Sequence, residues 1–169
     1  MKGPEIPVTQ AVRALRAAGL AFTPHFYKWV EHGGTGAASR ALQVDEHAVI
    51  KTLVMEARDS GPRPQPLLVL MHGDCEVSTK GLARFLGVKT VAPASEAGVE
   101  KHTGYQPGGV SPFGTRVVMP VYLEETLLRC DKVWVNGGRR GFLVAVEPGG
   151  LQQALAAVLV QVGLPSAPE

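Results

Sequence analysis

The sequence predicts a mixed α/β fold in which about six strands form a mixed or mainly antiparallel sheet with four or five flanking helices. Strand-like and helix-like segments follow one another irregularly, which disfavours a doubly wound parallel sheet, and a glycine-containing segment between Lys132 and Val146 has the form of a hairpin. The chain's 169 residues are 45% apolar. A chain of this size buries about 70% of its unfolded surface around a core without disulfide or metal staples, so a single domain over residues 1–169 is expected. The 20 glycines and 13 prolines are spread without a period or a low-complexity block, and no internal repeat is visible. Collagen-like, linker and disordered classes are thereby excluded.

Val8, Ala11, Val12, Leu15 and Ala18 recur at helical spacing, with Thr9 near the start and Gly19 just past the end, so residues 8–18 form an amphipathic helix. Ala21 to Tyr27 is short, aromatic and interrupted by Pro24, as an edge strand tolerates. His32-Gly33-Gly34 is a turn, Thr35 caps a helix running to Leu42, and a further helical turn follows at Asp45 to Ala48. Val49 to Met55 is a strand with two largely apolar faces and Lys51 in its middle. Asp59 to Pro66, with three prolines and a glycine, is an exposed loop before a second buried strand, Leu67 to Met71. Ser78 caps a helix that stops at Gly87, a short strand follows at Lys89 to Ala92, and another helix spans Ser95 to Lys101. Beyond the glycine-rich run Gly104–Gly114 come a strand at Thr115 to Met119, a helical turn at Glu124 to Leu128 and a strand at Lys132 to Val135. Asn136-Gly137-Gly138 supplies the backbone freedom of a tight hairpin that returns through Gly141 into Phe142 to Val146. Leu151 to Val160 reads as a closing helix, and residues 164–169 as a frayed tail.

Seventeen basic against fifteen acidic side chains leave a net charge of +2, too weak for an extended nucleic-acid footprint but compatible with a confined basic patch. Two cysteines, Cys75 and Cys130, are too few for a disulfide framework, and Pro4, Glu5 and Pro7 interrupt any apolar leader after Met1. A cytoplasmic location with free thiols and no membrane association is expected.

Lys51 stands among Val49, Ile50, Leu53 and Val54, where an unpaired ammonium is costly; it either snorkels to the surface or serves a site. The run Gly104–Gly114 either brings backbone N–H groups close to an anionic ligand or forms a packed turn. It is no phosphate-binding Walker loop, because no Gly-Lys-Ser/Thr follows. It is no nucleophile elbow either, since Pro112 removes the N–H that the residue after a nucleophilic serine supplies, and Ser111 reads as a hydrogen-bonding residue. The five histidines show no paired-ligand spacing beyond the weak His72-x-x-Cys75, so no metal and no cofactor are expected. Arg139 and Arg140, with Arg129 and Lys132 close in sequence, either meet phosphates or decorate a solvated hairpin tip.

Taken together, Val49-Ile50-Lys51-Thr52-Leu53, Val77-Ser78-Thr79-Lys80, Thr103-Gly104-Tyr105 with Gly108-Gly109-Val110-Ser111-Pro112-Phe113-Gly114, and Asn136-Gly137-Gly138-Arg139-Arg140-Gly141 resemble the YbaK-type aminoacyl-tRNA deacylases, freestanding relatives of the editing domain of bacterial prolyl-tRNA synthetase. The resemblance covers residues 8–160. It implies a curved, barrel-like sheet and hydrolysis of the ester joining a wrong amino acid to the terminal ribose of tRNA, with Cys-tRNA(Pro) favoured. It also implies Lys51, Gly108 and Gly109 as catalytic residues, and Tyr27, Thr52, Ser111, Pro112, Gly137, Gly138 and Arg139 as substrate-binding residues. The partners implied are the aminoacyl-tRNA 3′ end and prolyl-tRNA synthetase. No protein nucleophile is implied, because an ester needs little beyond oriented donors for its developing oxyanion, and the substrate's own thiol or ribose hydroxyl attacks.

The resemblance departs at Leu143, where many cysteine-clearing members carry an acidic residue; the Lys51-Thr52 pair points back to that branch, because alanine-clearing relatives usually follow the lysine with asparagine. Two alternatives accompany this reading: a deacylase of the alanine-clearing branch, and a noncatalytic module that holds a small molecule or a tRNA end on the same fold.

Overall fold

The computed structural model describes residues 4–59 and 61–166. Along the chain run helix α1 (Gln10–Ala17), strand β1 (Thr23–Phe26), helix α2 (Gly34–Leu42), and strands β2 (Ile50–Arg58), β3 (Gln65–His72) and β4 (Cys75–Val77). Helix α3 (Thr79–Leu86), strand β5 (Thr90–Pro93), helix α4 (Glu96–Thr103) and strands β6 (Val121–Glu124), β7 (Val133–Arg139) and β8 (Phe142–Val146) follow. Helix α5 (Pro148–Leu155) and strands β9 (Val158–Val160) and β10 (Gly163–Pro165) complete the described residues.

The mixed α/β class is observed, with ten described strands distributed over three sheets. A five-stranded sheet has the order β5-β2-β3-β6-β9, a three-stranded sheet the order β1-β8-β7, and β10 pairs with β4. Pairing of β2 with β3 and β5 is antiparallel, while β6 lies parallel to both β3 and β9. β3 is central because both of its faces are apolar. Leu68 and Leu70 join a core with Val12 and Leu15 of α1 and with Val133, Val135, Phe142 and Val144 of the smaller sheet. Leu67, Val69 and Met71 face a second core with Leu82 and Ala83 of α3. Each of the buried Val, Leu, Phe and Met side chains contributes about 1.5–3 kcal/mol relative to exposure.

Helix starts follow their caps: Thr9 Oγ1 accepts from Val12 N at 3.0 Å, Ser78 Oγ from Gly81 N at 3.1 Å, and Ser95 Oγ from Gly98 N at 3.1 Å. Thr35 does not cap α2; Gly33 occupies that position, and the Thr35 hydroxyl donates instead to Gly73 O at 3.1 Å. The exposed loop is shorter than expected, since Gln65 and Pro66 already belong to β3, with Pro66 at its start where a missing N–H is tolerated; Ser60 lies outside the described residues.

Three further expectations are corrected. Thr115 to Met119 forms no strand, because Arg116 N and Val117 N donate to Thr103 O and His102 O at the end of α4 and Val118 faces outward, 97% exposed. The closing helix ends at Leu155, and Ala156 enters the left-handed region at φ 49°. The β-branched Val158 and Val160 then join the sheet as β9 instead of extending the helix. Leu164 and Pro165 of the expected tail, with Gly163 before them, pair with β4, and Ser166 N donates to Asp74 O; residues 167–169, including Pro168, lie outside the described residues.

Candidate active site

β5 pairs only with the Met55–Arg58 end of β2, so the Ile50–Leu53 half of that edge has no strand ladder among the described residues. A cavity of about 640 Å³ opens there, between this edge, the start of α2, the Tyr27–His32 segment, the Pro107–Val110 loop and the β7–β8 hairpin. Lys51, Thr52, Tyr27 and Gly108 all line it, so four residues expected at the site converge from three distant parts of the chain.

Lys51 is half-buried on β2, opposite Met71 of β3, and its Nζ donates to the main-chain carbonyl of Cys75 at 2.9 Å. Lys51 thus lines the cavity while its ammonium is held by a main-chain carbonyl. Thr52 buries its hydroxyl with no hydrogen-bond partner among the described residues. Burial pushes the Tyr27 phenol above its ordinary pKa, so it remains a neutral donor at physiological pH.

The glycine loop is held from two sides. Gly108 has φ 86°, and a Cβ there would come within 2.8 Å of Trp29 Nε1. Its carbonyl accepts from Asn136 Nδ2 at 3.2 Å. Arg140 Nε donates to Pro107 O at 2.8 Å while its guanidinium lies 4.2 Å from the Trp29 ring centroid, a cation–π contact. Gly109 sits behind the cavity lining. Its N–H closes a turn onto Gln106 O at 2.9 Å, and a Cβ would meet Arg140 N at 3.0 Å, so its glycine character serves close backbone approach.

The hairpin differs from the expected one. Asn136-Gly137-Gly138 forms a bulge inside β7, with Asn136 Oδ1 accepting from Gly138 N at 2.7 Å and Arg139 N at 3.1 Å, and the turn is made by Arg140 and Gly141. A side-chain amide thus replaces ladder partners and delays the turn. Gly137 is packed against the Phe142 ring, and Gly138 against Tyr105, Ala11 and Thr9. Ser111 and Pro112 are buried beneath the loop, where Ser111 Oγ accepts from Phe113 N at 3.2 Å. None of Ser111, Pro112, Gly137, Gly138 or Arg139 lines the cavity; Arg140 does, at the position next to the expected arginine.

Trp29 is the main site residue to which the sequence alone assigns no role, and Asn136, read from the sequence only as part of a turn, holds the Gly108 carbonyl. Leu143 lines the cavity, packed in an apolar cluster with Ala38 and Val49. Neither Cys75 nor Cys130 lines it, and burial is the largest influence raising both thiol pKa values, which disfavours a thiolate nucleophile.

Residues 34–154, well over half of the chain, match the family model described as the aminoacyl-tRNA editing domain. The chain belongs to this family. The editing-domain assignment agrees with the expected aminoacyl-tRNA ester hydrolase, as do relatives named as deacylase or trans-editing enzyme. An Enterococcus faecalis protein assigned as a Cys-tRNA(Pro)/Cys-tRNA(Cys) deacylase, EbsC, is 28% identical over 141 residues, covering 83% of this chain and 84% of the relative. A proline–tRNA ligase of Limosilactobacillus fermentum is 30% identical over 90 residues; the match spans 53% of this chain but only 16% of the ligase. The editing-domain fold is shared with a crystal structure assigned as a trans-editing enzyme for prolyl tRNA synthetase, at TM-score 0.78 and 23% identity, over 95% of this chain and 99% of the other.

Proposed function

We propose that residues 1–169 act as one trans-editing deacylase domain that removes cysteine from mischarged tRNA(Pro), with prolyl-tRNA synthetase as a partner. The observation that carries this reading is the anchored Lys51 at a cavity bounded by the Gly108 loop, within a chain of the editing-domain family. The EbsC similarity and the Lys51-Thr52 pair support cysteine as the amino acid cleared. Ala38, Val49 and Leu143 offer the aminoacyl side chain an apolar, uncharged wall.

In this reading Lys51 orients the ester and offsets charge developing on its carbonyl oxygen, while the Gly108 backbone and the neutral Tyr27 hydroxyl position the aminoacyl and ribose groups. The attacking group comes from the substrate, in keeping with thiols that lie outside the lining. An apolar pocket separates side chains by only about 1–3 kcal/mol per methylene, which is why a second, hydrolytic site complements a synthetase. A net charge of +2 supports weak tRNA affinity for the chain alone and hence delivery by the synthetase. No helix among the described residues is long and apolar enough to cross a membrane, and action in the cytoplasm beside the translation machinery is part of the proposal.

The test is single-turnover deacylation of cysteinyl-, alanyl- and prolyl-tRNA(Pro), with seryl-tRNA as control, by the wild type and Lys51→Ala. Rapid loss of cysteine that disappears in Lys51→Ala supports the reading. Preferential release of alanine moves the protein to the alanine-clearing branch, and binding of the aminoacyl end without turnover replaces the enzyme with a binding module.

A further inference from the structure

Outside the cavity lining, the tight turn between β3 and β4 gathers three side chains of different donor chemistry. His47 Nδ1 lies 2.8 Å from Asp74 Oδ1, Cys75 Sγ lies 3.6 Å from the same oxygen, and the three donor atoms all fall within 4.8 Å of one another. A Cys-His-Asp relay for nucleophilic attack would place the imidazole between thiol and carboxylate. Here the carboxylate is central, facing both the imidazole and the thiol, so the cluster is not built to activate the sulfur.

Its geometry suits a metal ion. Tetrahedral zinc with Zn–N and Zn–O bonds of about 2.0–2.1 Å and a Zn–S bond of about 2.3 Å spaces its ligand atoms roughly 3.3–3.6 Å apart. Of the observed separations, the 2.8 Å contact is shorter than that range and the 3.6 Å contact lies at its upper end, and all three atoms fall within 4.8 Å of one another, so small side-chain adjustments bring them around one ion. A thiolate and a carboxylate carry together the two negative charges that neutralise a divalent cation, and imidazole completes a mixed sulfur, nitrogen and oxygen set. The His47 and Asp74 side chains are 45% and 46% exposed, which leaves a solvent-facing fourth position.

The surroundings hold the ligands in place. His72, itself buried, stacks on the His47 ring with centroids 3.6 Å apart and an interplanar angle of 9°. It also donates from Nδ1 to the His47 carbonyl at 2.5 Å and contacts Thr126 Oγ1 through Nε2 at 2.6 Å. His47 N donates to Asp45 Oδ1 at 2.9 Å. Such outer contacts fix ligand orientation before a metal arrives. The weak His72-x-x-Cys75 pattern in the sequence thus points to the right turn but the wrong histidine: His72 is committed to hydrogen bonds, and His47 takes its place beside the thiol.

We propose that His47, Asp74 and Cys75 form a binding site for a zinc-class divalent cation, with water as the fourth ligand. This departs from the expectation of a metal-free protein. The bound ion fixes the turn whose Cys75 carbonyl anchors Lys51, and it lies outside the cavity lining, so the site is a positioning element and takes no part in the ester chemistry.

The test uses the full-length protein, stripped with chelator and titrated with Co²⁺ as a spectroscopic probe and then with Zn²⁺ against a chromophoric chelator. Expected is one equivalent of Co²⁺ with a thiolate-to-cobalt absorption band that Zn²⁺ abolishes, together with a melting temperature raised by Zn²⁺. Cys75→Ser, His47→Ala and Asp74→Asn each weaken Zn²⁺ binding by at least about tenfold, while Cys130→Ser leaves it unchanged. Cys75→Ser keeps the main-chain carbonyl that holds Lys51, and the metal-free melting curve of each variant reports its folding separately. Absence of stoichiometric binding, or a cobalt–thiolate band that survives Cys75→Ser and vanishes in Cys130→Ser, overturns the proposal.

Discussion

The Lys51 ammonium is held 2.9 Å from the main-chain oxygen of Cys75, two strands away in sequence. Because the acceptor is a carbonyl, the charge is positioned without being neutralised by a carboxylate, and it remains available to an oxyanion. Lys51→Ala is therefore expected to lower single-turnover deacylation by about 10²–10³-fold, the usual loss for one transition-state donor. The melting temperature, measured alongside, should move little, since the residue is only half-buried.

Gly108 and Gly19 separate two effects of a glycine at positive φ. Gly19 has φ 69° and nothing within 4 Å of where a Cβ would stand, whereas a Cβ on Gly108, at φ 86°, meets the Trp29 indole at 2.8 Å. Gly19→Ala should cost about 1–2 kcal/mol of backbone strain, measured by urea denaturation, and leave deacylation intact. Gly108→Ala should cost more and also slow turnover, because Trp29 and the stacked Arg140 must move.

Asn136 joins the β7 bulge to the glycine loop through three hydrogen bonds, to Gly108 O, Gly138 N and Arg139 N. Asn136→Ala leaves these buried or half-buried groups unpaired and is expected to destabilise by about 1–3 kcal/mol. Asn136→Asp restores the acceptor for the two N–H groups but not the donor to Gly108 O. If loop position governs activity, deacylation by Asn136→Asp should stay low even where stability recovers.

Tyr105 closes the glycine loop by donating from its hydroxyl to Phe113 O at 2.5 Å, and burial pushes its phenol up to about 12 from an ordinary 10.0. A folded pKa above the unfolded value means the native state holds its proton longer. The resulting stability is fully present below pH 10 and is lost as pH rises from 10 toward 12. Urea midpoints across that window should fall more steeply for the wild type than for Tyr105→Phe; parallel slopes would remove the phenol from the account.

The parts of the fold legible in the sequence are those governed by neighbours along the chain. Thr9, Ser78 and Ser95 cap helices because a hydroxyl reaches an N–H three residues on, and β3 is central because both of its faces are apolar. Lys51 is visible as a charge in an apolar strand. Trp29 is not, because its role depends on Arg140, more than a hundred residues away, lying over its ring. The Asn136-Gly137-Gly138 turn signal is overridden by side-chain bonds that make a bulge. At Thr115–Met119 the backbone bonds to the end of α4 and joins no sheet, which no local pattern discloses.

β1 pairs with β8 through Thr23↔Ala145 to Phe26↔Phe142, and Thr9 donates to Gly137 O across 128 positions. The cavity likewise draws on residues from Tyr27 to Leu143. During synthesis, α1 and β1 therefore leave the ribosome long before their partners exist, and no pocket can assemble until the β7–β8 hairpin has emerged. Folding must close loops spanning most of the chain, a topology associated with slow, late-committing folding. Truncation within β8 should thus abolish substrate binding altogether, whereas the residues after β8 line no part of the cavity and act on it only from behind, through the β10–β4 pairing at Cys75, whose carbonyl holds Lys51.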